Sequence, residues 1–273
     1  MARRPILVFD SGIGGLTVLR EIRCVLPHRQ LVYVADDAGF PYGDWDEDRL
    51  RARLISLISG LLADYTPEIT VIACNTAATL ALADLRAAYP GACFVGTVPA
   101  IKPAAEQSRS GLISVLATPA TVRRDYTRRL IATFAAHCDL NLVGSRHLAR
   151  LAEAHVQGTP YDSNTIRTEI APCFIEKASR RTDIVVLACT HYPFLTKVFE
   201  QLAPWPVTWL DPAPAIARHV LTVSKAGRDL SETEPAPVDD TADIAIVTSG
   251  RATPTLHALL RQFDLALAAS TTN

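Results

Sequence analysis

The chain of 273 residues lacks both an excess of basic charge and any long apolar run. Its 27 Lys and Arg residues are balanced by 28 Asp and Glu residues, so we expect no nucleic-acid partner. No run approaches the roughly 18–20 apolar residues that cross a bilayer. Arg3 and Arg4 are not followed by the apolar segment of a signal peptide. These absences predict a cytoplasmic protein with no membrane partner.

Metal-binding cysteine patterns are also absent. The six cysteines are Cys24, Cys74, Cys93, Cys138, Cys173 and Cys189. None of them forms a C-x-x-C pair, and no Cys/His cluster has the spacing of zinc ligands, so we expect no metal. A free cysteine is most often a small buried hydrophobic residue, and this is our interpretation of Cys24, Cys93, Cys138 and Cys173.

Cofactor signatures are equally scarce. The turn Gly12-Ile13-Gly14-Gly15 follows an apolar strand and opens a helix, but it lacks the third glycine of the G-x-G-x-x-G dinucleotide fingerprint. No lysine stands in the context of a pyridoxal phosphate Schiff base. We therefore expect no cofactor. The glycine turn better suits the cradling of an anion by backbone N–H groups, with Asp10 at the tip of the strand.

Two stretches of the sequence are versions of one another. Residues 69–76 (ITVIACNT) and 183–191 (DIVVLACTH) are each an apolar run of strand length that ends in Ala-Cys and then turns polar. Such runs predict buried strands that break at their carboxyl ends. Ligands of open α/β sheets bind at that edge. Cys74 and Cys189 are therefore the two thiols placed for chemistry.

The rest of the pattern repeats as well, because the strand and polar turn at 6–15 match those at 112–122. We predict an α/β fold of two pseudo-symmetric lobes, each a mostly parallel sheet flanked by helices, with the active site in the cleft between them. The first lobe would be discontinuous (1–97 plus 211–273), and the second would span 98–210. Helices are predicted at 165–178 and 256–267, and a solvated acidic loop at 225–243.

Two opposed thiols suit stereoinversion by two bases. One thiolate removes a proton from an sp³ carbon, and the other thiol delivers a proton to the opposite face. Free cysteine has a pKa of about 8.5, so each thiol needs help; His191 is the candidate beside Cys189, and Asp10 the candidate in the first lobe. The reacting carbon would lie α to a carboxylate. Polar groups at the same turns could hold that substrate: Ser11, Asn75, Thr76, Thr118, Thr121 and Thr190.

These residues together resemble the glutamate racemases, which belong to the cofactor-independent aspartate/glutamate racemase family. The resemblance spans nearly the whole chain and rests on six motifs in order: 9–16 (FDSGIGGL), 41–43 (PYG), 73–77 (ACNTA), 98–104 (VPAIKPA), 116–122 (LATPATV) and 189–193 (CTHYP). It implies glutamate as the small-molecule substrate and a role in supplying D-glutamate for peptidoglycan. Dimers are common among similar proteins, so a homodimer is one expected assembly.

The resemblance also implies roles for individual residues. Cys74 would be the base for D-glutamate and Cys189 the base for L-glutamate. Asp10 and His191 would assist them, and Glu153 fits the place of a further catalytic glutamate. In many members of that family Cys-Pro precedes that glutamate, whereas this chain has Gly144-Ser145-Arg146. The implied substrate contacts are Ser11, Pro41, Tyr42, Gly43, Asn75, Thr76, Thr118, Thr121 and Thr190.

Three alternatives remain. An aspartate racemase would also use two cysteines, but its second cysteine typically precedes Thr-Glu, whereas here Thr190-His191 follows Cys189. A regulatory or binding protein could keep the same fold, although near-neutral charge and two intact thiols favour an enzyme. A decarboxylase relative would keep only one of the two cysteines.

Overall fold

The computed structural model describes residues 4–226 and 242–268, so most of the predicted acidic loop at 225–243 lies outside the described residues. The strands are β1 (Ile6–Asp10), β2 (Leu31–Ala35), β3 (Ile69–Ile72), β4 (Phe94–Gly96), β5 (Leu112–Ala117), β6 (Asp139–Gly144), β7 (Glu176–Lys177), β8 (Arg180–Arg181), β9 (Ile184–Ala188), β10 (Thr208–Leu210), β11 (Ile244–Val247) and β12 (Ala266–Leu267). The α-helices are α1 (Leu16–Val25), α2 (Glu47–Tyr65), α3 (Asn75–Ala88), α4 (Ile101–Gln107), α5 (Pro119–Arg123), α6 (Asp125–Phe134), α7 (Leu148–Val156), α8 (Ser163–Ile170), α9 (Thr196–Leu202), α10 (Ala213–Ala226) and α11 (Pro254–Gln262).

The first compact unit consists of the described residues within 1–97 and 213–273. Its sheet has the strand order β12-β11-β2-β1-β3-β4, and every neighbouring pair is parallel. All residues of β1, β2 and β3 are buried, as expected for a parallel sheet with helices on both faces. Because the strands are parallel, the residues that follow β1, β2, β3 and β11 lie at one edge of this sheet.

The second compact unit spans 98–212. Its parallel sheet has the order β10-β9-β5-β6, and the central strands β5 and β9 are fully buried. The residues after β5, β6 and β9 therefore share one edge of this sheet. The predicted α/β class with mostly parallel sheets is confirmed.

The predicted helix at 165–178 is wrong in its second half. The helix α8 ends at Ile170, and Pro172 lies in a short 3-10 turn, where it needs no backbone N–H. The chain then forms the antiparallel hairpin of β7 and β8. Its turn residues Ala178 and Ser179 both have positive φ, at 50° and 63°. Hairpin turns of this kind are usually marked by Asn or Gly, which this segment lacks.

The predicted closing helix at 256–267 is also too long. It ends at Gln262, because Asp264 adopts a left-handed φ of 55° and the Leu265 amide bonds back to the Leu260 carbonyl. The following residues pair with β11 as the edge strand β12. Among the helices that the structure describes, none is both long and apolar enough to span a bilayer.

Candidate active site

The thiol of Cys74 lies at the carboxyl end of β3 and at the N-cap of α3. It is only 6% exposed, and its sulfur lies 3.6 Å from the hydroxyl oxygen of Ser11, which follows the neighbouring strand β1. The dipole of a helix favours negative charge at its N-terminus, and Cys74 lies at the N-terminus of α3. The structure therefore places Cys74 where an anionic form is stabilised.

The turn that was predicted to cradle an anion has its backbone held by hydrogen bonds to Asp10 and Tyr33. Asp10 is fully buried and accepts a hydrogen bond of 3.0 Å from the Gly12 amide. The Tyr33 hydroxyl donates to the Gly12 carbonyl at 2.5 Å. A Cβ atom on Gly15 would lie 2.7 Å from the Cβ of Asp10, so only glycine fits there. The tight approach of α1 to β1 thus holds Asp10 at the same sheet edge as Cys74.

Residues Pro41, Tyr42 and Gly43 belong to a loop that follows β2. We call residues 37–45 the β2 loop; it contains two 3-10 turns and a cis Phe40–Pro41 peptide. Tyr42 is 2% exposed and packs in the same apolar cluster as Cys74. Burial, followed by the negative charge of Asp36, raises the pKa of Tyr42, so its phenol stays protonated. The predicted P-Y-G motif therefore lies beside the first thiol.

The side chain of Asn75 is the clearest sign of a ligand in this unit. It is 2% exposed, and neither its amide nitrogen nor its carbonyl oxygen has a hydrogen-bond partner within the described residues. Buried polar groups are nearly always paired, because an unpaired one costs about 1–3 kcal/mol. The NH2 group and the carbonyl oxygen of Asn75 are thus both left for a bound molecule, next to Cys74 and the buried Thr76.

The thiol of Cys189 occupies the matching position in the second unit, directly after β9. It is 7% exposed, and its sulfur lies 4.0 Å from Nδ1 of the buried His191. The other ring nitrogen of His191 lies 2.9 Å from the Glu153 carboxylate. Glu153 projects from α7. The structure therefore joins the three predicted residues Cys189, His191 and Glu153 in one chain of contacts.

Electrostatics in this chain favour a protonated imidazole. Burial alone would lower the pKa of His191, but hydrogen bonds and charge from Cys189 and Glu153 outweigh burial and raise this pKa well above the ordinary 6.5. An imidazolium beside a thiol stabilises the thiolate. A base can therefore form at Cys189. Glu153 can hold the positively charged His191 ring beside that base.

The helix that carries Glu153 is anchored at its start by Ser145. The Ser145 hydroxyl accepts from the amide of Leu148, the first residue of α7, at 3.1 Å. The same hydroxyl donates to the Glu169 carboxylate. Ser145 thus holds the first residue of α7, the helix that carries Glu153, and the sequence did not reveal this contact.

The threonines of the second unit lie at the same edge. Thr118 follows β5 and caps α5, with its oxygen 3.1 Å from the Thr121 hydroxyl and 3.3 Å from the Thr121 amide. Thr121 and Thr190 are buried. Thr118, Cys189 and Thr190 therefore lie just after a strand end, and Thr121 lies in the first turn of the helix that follows β5.

Sequence reasoning missed the partners of Tyr42. Asp36 directly follows β2 and accepts from the Tyr42 hydroxyl, from Arg53 on α2 and from Thr248 after β11. Asp36 and Thr248 each directly follow a strand, and that position was a signal that could have identified them. Nothing near Arg53 in the sequence indicates its contact with Asp36. Across residues 4–226 and 242–268, no group of three or more His, Cys, Asp or Glu side chains could hold a metal ion.

Comparison with known proteins gives one consistent result. Residues 18–220 match the family model described as Asp/Glu/Hydantoin racemase. A glutamate racemase of Brucella anthropi is 60% identical over 97% of this chain and 93% of its own, and one of Brucella canis is 58% identical over 96% and 93%.

Solved structures agree with the sequence comparison. The Escherichia coli glutamate racemase, crystallised with L-glutamate and the activator UDP-MurNAc-ala, has a TM-score of 0.84 and 34% identity, with 97% of each chain covered. The Thermus thermophilus glutamate racemase has a TM-score of 0.73 and 28% identity, over 98% of this chain and 97% of its own. The chain therefore belongs to the Asp/Glu/hydantoin racemase family and, within it, to the glutamate racemases.

Proposed function

We propose that this protein interconverts L-glutamate and D-glutamate by proton transfer at Cα, without a cofactor. The observation that carries the proposal is the pair of buried thiols, Cys74 and Cys189, each at the carboxyl end of a parallel strand. The relatives named as glutamate racemases, at 58–60% identity over nearly the full chain, support glutamate as the substrate.

The proposed reaction uses each thiol in both directions. With D-glutamate, the thiolate of Cys74 removes the α-proton, the electron pair stays on Cα, and the thiol of Cys189 donates a proton to the opposite face. With L-glutamate the roles are exchanged. One proton enters and one leaves, so protons and charge balance. Asp10 would assist Cys74, while His191, oriented by Glu153, would assist Cys189.

The proposed substrate contacts are polar groups at the two sheet edges. The unpaired donor and acceptor of Asn75 suit the carboxylate and ammonium groups of an amino acid. We assign the same role to Ser11, Pro41, Tyr42, Gly43, Thr76, Thr118, Thr121 and Thr190. Residues 1–97 with 211–273 would act as one functional lobe, and residues 98–210 as the other.

The biological role proposed for this activity is the supply of D-glutamate for peptidoglycan. We place it in the cytoplasm, where free thiols stay reduced, which suits a reaction that needs two of them. A homodimer is the proposed assembly. Sedimentation at several protein concentrations tests that assembly, and a monomer throughout would contradict it.

Deuterium exchange tests the proposed reaction. The purified protein, with no added cofactor, is incubated in D₂O with either glutamate enantiomer, and the product is analysed by chiral chromatography and mass spectrometry. We expect the opposite enantiomer to appear with deuterium at Cα. L-Aspartate is the parallel substrate. Turnover of aspartate without turnover of glutamate would overturn the substrate assignment, and failure with both would overturn the racemase assignment.

A further inference from the structure

The carboxylate of Asp36 is buried in the first unit and has no role in the proton transfers above. It is fully buried and accepts four hydrogen bonds. Two come from the Arg53 guanidinium, at 2.6 and 2.5 Å, one from the Tyr42 hydroxyl at 2.5 Å, and one from the Thr248 hydroxyl at 2.6 Å. A buried charge is tolerated only when it is paired and hydrogen-bonded, and here both carboxylate oxygens are occupied.

These bonds keep the Asp36 carboxylate ionised, so it serves as a hydrogen-bond acceptor that holds its neighbours and does not transfer protons. Burial alone would raise the pKa of Asp36, but the bonds from Arg53, Thr248 and Tyr42 outweigh burial and lower this pKa below its ordinary value. The carboxylate therefore stays charged. Because Tyr42 stays protonated, its hydroxyl remains a donor to Asp36. The Tyr42–Asp36 bond is thus a fixed contact near neutral pH.

The partners of Asp36 come from distant parts of the chain. Thr248 follows β11, which pairs with β2, so Thr248 stands beside Asp36 at the sheet edge. The next residue, Ser249, donates its amide at 2.8 Å and its hydroxyl at 2.5 Å to Asp37, the first residue of the β2 loop. The C-terminal part of the chain therefore holds the start of this loop.

The other end of the β2 loop is held by Arg53. Its guanidinium carbon lies 5.6 Å from the ring centre of Trp45, the last residue of the loop. The Trp45 indole donates to the Gly39 carbonyl at 2.8 Å. A Cβ atom on Gly39 would come within 2.7 Å of an Asp36 oxygen and 2.9 Å of Arg53 Nε. The loop is therefore closed tightly around the carboxylate.

We propose that Arg53 and Thr248 are positioning residues that act through Asp36 to hold Tyr42 and the β2 loop in the conformation that binds substrate. This inference rests on the proposed function, since it assigns Pro41, Tyr42 and Gly43 to substrate binding. The turn that follows β11 thereby contributes to glutamate binding through the β2 loop.

Steady-state kinetics of the full chain test the proposal. Thr248→Val removes one hydroxyl with little change of shape, and Thr248→Ser restores it. We expect Thr248→Val and Tyr42→Phe each to raise KM for both glutamate enantiomers about tenfold, with kcat changed much less, because binding is lost rather than chemistry. Thr248→Ser should behave like the unaltered protein. A fall in kcat at constant KM would indicate lost folded enzyme and overturn the proposal.

A second readout needs no turnover. The amides of Phe40, Asp44 and Trp45 bond within the β2 loop, so hydrogen exchange reports its closure. We expect these amides to exchange about tenfold faster in Thr248→Val, with the amides of β1 unchanged. If the unaltered protein did not racemise glutamate, the proposed function would fail, and faster exchange alone would still support the positioning of the loop. Unchanged exchange of these β2 loop amides in Thr248→Val would overturn the proposal that Thr248 positions the loop.

Discussion

The two cysteine-bearing sheet edges end in the same Ala-Cys sequence but have different neighbours. Beside Cys74 lie a hydroxyl group from Ser11 and the buried ring of Tyr42. Beside Cys189 lies an imidazole that is tied to Glu153. The repeated strand places a thiol at a helix start or turn, while the groups around each thiol come from other parts of the chain. The two thiols therefore have unequal neighbours, and the proposed mechanism assigns them different assistants.

The largest effect is expected when either thiol is removed. Cys74→Ala and Cys189→Ala should each lower kcat/KM for both enantiomers by at least about 10³-fold, because each thiol serves as base in one direction and as acid in the other. Racemisation followed by polarimetry measures this. The matched control is Cys24→Ser, which should retain full activity. Cys24 was predicted to be buried, but the structure shows that it is exposed. Substantial activity in either active-site variant would refute the two-base mechanism.

The next effect separates the assistants of the two thiols. Asp10→Asn and His191→Asn should each lower turnover about 10²-fold. Enantiomers have equal free energy in water, so kcat/KM must fall equally in both directions. The difference appears instead in the α-deuterium isotope effect, which should rise for D-glutamate in Asp10→Asn and for L-glutamate in His191→Asn. Equal isotope effects on both substrates in both variants would contradict the proposal that Asp10 assists Cys74 and His191 assists Cys189.

A smaller effect concerns stability at the second edge. Because the pKa of His191 is raised above 6.5 in the folded state, its charged form stabilises the protein fully below pH 6.5, and this contribution is lost as pH rises through the raised value. Glu153→Gln should therefore lower the free energy of unfolding by about 2 kcal/mol below pH 6.5, and by less at high pH.

Urea denaturation across this pH range measures the difference. Glu106→Gln is the matched control, since Glu106 is exposed on α4 of the same unit and should show no such pH dependence. A gap between Glu153→Gln and the unaltered protein that widened as pH rose would contradict a charged His191.

The smallest effect compares polar groups of the two edges. Asn75 has unpaired polar atoms, so Asn75→Ala should leave the ligand-free protein as stable or more stable while it raises KM for glutamate. Thr118 already caps α5, so Thr118→Ala should lower the free energy of unfolding by about 1 kcal/mol. Thermal unfolding and kinetics of both variants check this. Strong destabilisation by Asn75→Ala would show that its side chain is structural.

Several helix boundaries show where local patterns were insufficient. Apolar residues recur at 3/4 spacing in 49–65, a pattern typical of an amphipathic helix, and α2 spans Glu47–Tyr65 there with Asp46 as its N-cap. The same reasoning extended helices through 178 and 267. The first of these ends at Ile170, before the 3-10 turn that contains Pro172, and the second ends at Gln262, just before the positive φ of Asp264. Periodicity reports which face is buried, but it does not report a left-handed residue that lacks the usual glycine or asparagine.

By itself the sequence determined the parallel α/β class, the two strand ends that carry Cys74 and Cys189, and the place of His191, because buried strands and their polar turns are local patterns. Only the tertiary structure decided that Glu153 reaches His191 from 38 positions away and that Thr248 reaches Asp36 across 212. Such contacts depend on which strands become neighbours in the sheet. Two similar Ala-Cys stretches were visible in the chain; their unequal surroundings arise from the fold.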